Sequence, residues 1–128
     1  MKQAIFALIL ASAGVAGATA KECASLQTQT DLTLCEARNF EEADARLNET
    51  FNRLSAKLGA EERPKLIEAQ RAWIKYRDAQ CAFETQLTIG GSIHPMEIAQ
   101  CAAALTKDPT RKLERQINCA GPGSCVAP

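Results

Sequence analysis

Six cysteines, Cys23, Cys35, Cys81, Cys101, Cys119 and Cys125, constrain this chain more than any other feature, because all of them follow a segment patterned for export. Lys2 supplies a basic start, and Ala4 to Ala18 is uncharged and mostly apolar. Ala18-Thr19-Ala20 then offers the small-x-small pattern that a signal peptidase cuts. Ala16-Gly17-Ala18 has the same pattern, so cleavage after Ala18 stays open. The apolar run is short for an uncleaved membrane anchor. Lys21 and Glu22, just before Cys23, do not suit lipidation. The expected organisation is a cleaved leader over residues 1–20, a helical domain over 21–118, and a Cys/Gly/Pro-rich tail over 119–128. The expected address is the periplasm or the exterior, with no membrane insertion once the leader is gone.

An even number of cysteines in a small exported domain reads as a disulfide framework. Six cysteines admit fifteen pairings, and sequence alone does not choose among them. Our expectation pairs neighbours: Cys23–Cys35, Cys81–Cys101 and Cys119–Cys125. The leader removes Lys2, one of the 15 basic residues, so 14 remain against 15 acidic ones. That balance gives no electrostatic pull toward nucleic acid or anionic membrane. Beyond the leader the aromatic residues are Phe40, Phe51, Trp73, Tyr76 and Phe83, and much of the apolar content is Ala, which buries little area. A core of this kind is marginal at this size. Closing the loop from Cys81 to Cys101 would offset that weakness by about 3 kcal/mol in the chain-entropy account.

Hydrophobic spacing predicts helices throughout. Phe40, Leu47, Phe51, Leu54 and Leu58 recur on one helical face, with Thr30 or Asp31 as N-cap and Gly59 as stop. Arg38, Glu41, Glu42, Arg46, Glu49 and Arg53 lie opposite, with mixed signs that mark a solvated face. A second helix is expected from about Glu61 to Gln86, with Pro64 in its first turn. Its stripe is Leu66, Gln70, Trp73, Arg77, Cys81 and Glu84, widened by Ile67, Ile74 and Tyr76. Two long helices on a short link pack as an antiparallel hairpin. Gly90-Gly91 demands a turn, and Pro95 suits the start of a further helix. Asp108-Pro109 interrupts that helix by a kink or a fresh N-cap. The expected class is all-α: a disulfide-braced domain built on a long antiparallel hairpin plus one or two shorter C-terminal helices.

The residue types argue for binding over catalysis. There is no Cys-x-x-Cys and only one histidine, His94, so neither a metal nor a cofactor is expected. Oxidised cysteines leave no thiolate nucleophile beside His94. Most carboxylates fall on charged helix faces, and acid–base work needs them to converge in a cleft. Asp44 and Asp78 are the exceptions. A buried network of Asp44, Asn48, Gln70 and Arg77 would set helix register, with Trp73 as a core anchor and Asp78 beside Arg77. The best candidate for contact with a partner is the turn carrying Gly90, Gly91, Ser92 and His94, clamped by a Cys81–Cys101 bridge.

Those motifs together resemble a known family. Cys23 and Cys35 are followed by Asp44-Ala45-Arg46-Leu47-Asn48-Glu49-Thr50-Phe51. Then come Gln70, Trp73, Arg77, Asp78 and Cys81, Gly90-Gly91-Ser92, and Cys101-Ala102-Ala103-Ala104-Leu105-Thr106. The order is similar to that of the LprI-type lysozyme-inhibitor-like proteins of bacterial envelopes, from Cys23 to Leu113, with Arg111 and Leu113 in the helical ending. Phe51 stands where the family has Tyr, Pro109 falls where its last helix continues, and Cys119 and Cys125 are additions. The resemblance implies a helical fold, no catalysis, and a protein partner such as a lysozyme, inhibited by a stoichiometric complex. Lysozymes are usually basic, so the contact would use an acidic patch, Glu41, Glu42 and Glu49, or the inserted turn from Gly90 to His94. The alternative is an envelope interaction module, immunity or chaperone-like, for another periplasmic client.

Overall fold

The computed structural model describes residues 22–119. The expected leader and the tail after Cys119, Cys125 included, lie outside the described residues. Three helices follow in order: α1 (Gln29–Lys57), α2 (Glu62–Glu84) and α3 (His94–Ile117), with a 3-10 turn at Gln86–Thr88 between the last two. The all-α class holds, with no strand among the described residues.

Helix α1 starts earlier than its hydrophobic spacing suggests. Thr28, rather than Thr30 or Asp31, is the N-cap: its Oγ1 accepts from the Asp31 N–H at 3.1 Å and donates to Asp31 Oδ2 at 2.7 Å. Asp31 is thus the third helical residue, bound to the cap through its N–H and its carboxylate, a role that its type alone does not separate from that of the cap. The predicted apolar stripe faces inward, with Leu47 and Leu54 buried and Phe40, Phe51 and Leu58 half-buried, while Arg38, Glu41, Glu42, Arg46, Glu49 and Arg53 are exposed. At the other end of α1, Arg63 reaches back to donate to the carbonyls of Ser55 (3.0 Å) and Leu58 (2.9 Å). Glu62 accepts the Gly59 N–H at 2.9 Å. The first turn of α2 therefore caps the last turn of α1 and closes a short link.

Asp108-Pro109 does not begin a new helix. The expected one or two shorter C-terminal helices resolve to a single helix, and α3, at 24 residues, is no shorter than α2, at 23. Pro109 removes one N–H, which leaves the Leu105 carbonyl without its usual donor. Packing holds the helix together across this point, because Thr106, Thr110 and Leu113 are all buried. The Thr106 and Thr110 hydroxyls donate to the carbonyls one turn back, of Ala102 (2.7 Å) and Thr106 (2.8 Å).

Contacts between the helices set the topology. Gln29 lies beside Met96, Gln100 donates to Glu36, and Arg46 pairs with Glu114, so α1 and α3 run parallel. Arg63 meets Ser55 and Arg77 meets Asp44, so α2 runs antiparallel to α1. The closest approach is between α1 and α3. Small residues allow it: Ala99, Ala102, Ala103, Thr106 and Thr110 form the buried side of α3. Helix α2 stands further from α1, across larger side chains. The core is Leu47, Leu54 and Leu113, with Phe51, Leu58, Leu66, Trp73 and Ile117 packed on it. Disulfides join Cys23 to Cys35 and Cys81 to Cys101. Cys119 is also disulfide-bonded. The first bridge ties the segment before α1 to that helix, and Asn39 supports it by donating to Cys23 Sγ at 3.2 Å.

Candidate functional site

Two clusters hold the residues that the sequence singles out. The first joins α1 to α2 around Arg77, which is 7% exposed. Its guanidinium lies over the Phe40 ring, 5.0 Å from the centroid, and over Trp73 at 5.3 Å. Nη1 donates to Asp44 Oδ1 and Nε to Asp78 Oδ1, both at 2.9 Å. Asn48 donates to the other Asp44 oxygen at 3.0 Å. Arg77, Asp44, Asn48 and Asp78 thus form one network, and Trp73 packs on the leucine core as well as on the guanidinium. Gln70 stays outside it: its buried Nε2 has no hydrogen-bond partner among the described residues. The network occupies Asp44 and Asp78, the two carboxylates that composition left free for acid–base chemistry. No group of three or more potential metal ligands occurs among the described residues.

The second cluster is the turn between α2 and α3, where Thr88 is the hub. Its N–H already donates to the Thr85 carbonyl at 3.1 Å. Its hydroxyl lies 2.6 Å from Glu97 Oε2 and 3.1 Å from His94 Nδ1. A hydroxyl has one proton, and the Glu97 carboxylate takes it in the shorter bond. The same hydroxyl also lies 2.9 Å from the Thr85 carbonyl. Gly90 adopts φ +83°, a left-handed conformation that a side chain would strain. The Gly91 N–H closes the turn onto the Thr88 carbonyl at 2.8 Å. Behind the turn, Thr85 is buried and donates to the Cys81 carbonyl at 2.8 Å, next to the Cys81–Cys101 bridge. This rigid turn exposes Gly90, Gly91 and Ser92 and holds His94 half-buried.

Glu41 and Glu42 are exposed further along α1. Glu42 borders a groove between α1 and α3 that also bears Arg46, Lys107, Arg111 and Glu114. Its charge is therefore interleaved with cations, one of which, Arg46, is paired with Glu114 at 2.8 Å. Gln29 at the start of α1 lies beside Met96. Glu42 is thirteen residues up the helix, about 20 Å from the turn end. The fold does not bring the acidic pair and the turn into one surface.

Residues 20–113 match the family profile described as Lysozyme inhibitor LprI. The chain belongs to the LprI family. A protein of Rhizobium meliloti (strain 1021), named uncharacterized protein R02472, is 33% identical over 112 residues, covering 77% of this chain and 81% of that one. No solved structure matches. The LprI match takes in the Arg77 network, both inter-element disulfides and the turn, and it ends before Cys119. The family is named for inhibition, which agrees with a protein partner rather than a reaction. No helix among the described residues is long and apolar enough to cross a membrane.

The LprI motif residues say little about what is most displayed. Leu87 is 94% exposed, Ile89 70% and Phe83 66%, all within seven residues of Gly90. Sequence reasoning missed them, because an apolar residue next to a helix reads as core. A usable signal was present: Thr85 to Met96 contains no Asp, Glu, Lys or Arg, in a chain that is 23% charged.

Proposed function

We propose that this protein is an exported inhibitor of a lysozyme-type muramidase that acts in the periplasm by stoichiometric occlusion of the enzyme. One observation carries the reading: the LprI match, residues 20–113, extends across α1, α2, the clamped turn and most of α3. Cleavage of the leader would release residues 21–128, of which 21–118 form the helical domain and 119–128 its tail. The turn with Gly90, Gly91, Ser92 and His94 is the contact surface, held in one shape by Thr88 and by the Cys81–Cys101 bridge. A loop ordered before binding loses less entropy on binding. Catalysis is not part of the reading, since Asp44 and Asp78 are committed to Arg77.

The test is cell-wall lysis by animal and bacterial muramidases in the presence of the oxidised mature domain. Activity should fall linearly with added domain and vanish near one equivalent. Undiminished lysis by every muramidase at high micromolar domain would rule the reading out.

A further inference from the structure

We infer that Leu87 and Ile89 are the anchors that enter the muramidase cleft, so that the contact is apolar rather than ionic. This rests on the inhibitor reading above and names the part of the surface that performs it. Leu87, Ile89 and Phe83 are the three most exposed large apolar side chains among the described residues. They fall within seven residues of chain at one end of the molecule. Large apolar side chains this exposed, gathered in one short segment, point to an interaction surface. Thr85 to Met96 carries no Asp, Glu, Lys or Arg. The flanking carboxylates are engaged within the chain: Glu84 accepts from Gln80 at 2.7 Å and Glu97 from Thr88 at 2.6 Å. Both carboxylates keep their charge, and the segment between them, Thr85 to Met96, adds none.

Shape argues for a concave partner. A side chain as exposed as Leu87 stands clear of its own protein and needs a pocket to bury it. An enzyme that cuts within a polymer has an open cleft, and apolar anchors seated in pockets dominate binding energy at interfaces. The turn behind them is fixed by the Thr88 hub, by Gly90 in its left-handed conformation, and by the Cys81–Cys101 bridge. Anchors on a rigid turn lose little freedom on docking.

The experiment measures inhibition of a susceptible muramidase by the full mature domain at low and at high salt. It compares the native domain with Leu87→Asp, Ile89→Asp and the pair Glu41→Gln/Glu42→Gln. Circular dichroism confirms that each variant is folded, as exposed positions should allow. The expected result is an inhibition constant raised about tenfold or more by either aspartate, a change that corresponds to loss of an interface anchor. The glutamine pair and added salt should leave it within about twofold, since screening acts only on charges. Inhibition that survives both aspartates, or that disappears in salt, overturns the apolar anchor and leaves the inhibitor reading standing. A native domain that inhibits no muramidase overturns both. Sedimentation of the native domain and of Leu87→Asp tests a second occupant: a dimer that the aspartate splits would mean that another copy of the chain covers this end, which also overturns the proposal.

Discussion

Arg77 is buried against two rings, while its two carboxylate partners keep their water. Its side chain is 9% exposed, against 37% for Asp44 and 62% for Asp78. Removing either side of the cluster should therefore have unequal effects. Arg77→Met keeps much of the packing on Phe40 and Trp73 and frees two carboxylates that water already reaches. We expect it to cost about 1–2 kcal/mol in urea unfolding. Asp44→Ala combined with Asp78→Ala strands a buried cation, and should cost about 3–5 kcal/mol by the same measurement. Equal losses would mean that the guanidinium is better solvated than its burial shows. This cluster was largely legible in the sequence. Asp44, Asn48 and Arg77 are polar residues on or beside apolar stripes, and such groups must find partners. Gln70 met the same criterion yet makes no bond through its amide nitrogen. Spacing reports which face a residue occupies, not whether a partner comes within reach.

Among the elements, α3 departs most from its sequence. Its Pro109 is a strong local signal to stop, and the helix continues because Thr106, Thr110 and Leu113 are buried against neighbours that reward continuation. Pro109→Ala would restore a donor to the Leu105 carbonyl. Part of that gain is offset by the greater freedom of the unfolded chain. A net stabilisation of about 1–2 kcal/mol is expected, read as a higher midpoint in thermal unfolding; a lower midpoint would show that the proline ring packs better than the helix bonds. The N-cap of α1 was misplaced for a related reason. Thr28, Thr30 and Asp31 are all good capping residues, and only the backbone conformation selects Thr28, which is extended at φ −110°, ψ 147°. Thr28→Ala should cost about 1 kcal/mol. The turn before α3 depends on Thr88 in a different way. Thr88→Val removes the hydroxyl that bridges His94 and Glu97, and amide exchange at Gly91 should speed up while exchange in the α1 interior stays unchanged.

At the scale of the molecule, the fully buried large side chains are few, and Leu47 is the leading one. Folded domains keep a margin of only about 5–15 kcal/mol. The Cys23–Cys35 and Cys81–Cys101 bridges, with separations of 12 and 20 residues, each contribute about 3 kcal/mol in the loop-entropy account. Reduction should therefore remove much of the margin, and the helical circular dichroism signal should collapse at 37 °C under reductant; a signal that persists would place the stability in the core. The all-α class and the family were legible from periodicity and motif order. The parallel contact of α1 with α3 was not, because a row of Ala and Thr carries little hydrophobic signal and acts by letting backbones approach. Both bridges also lie at the same end of the bundle, beside the start of α1 and the turn. The opposite end is closed by the Arg63 caps and by side chains such as Leu58, Leu66 and Ile117. Pulled or heated, the protein has a grip and a free edge: we expect opening to begin where α1 meets α2 and to travel toward the bridges, so that the turn is the last part of the molecule to lose its shape, which hydrogen exchange along α1 would show.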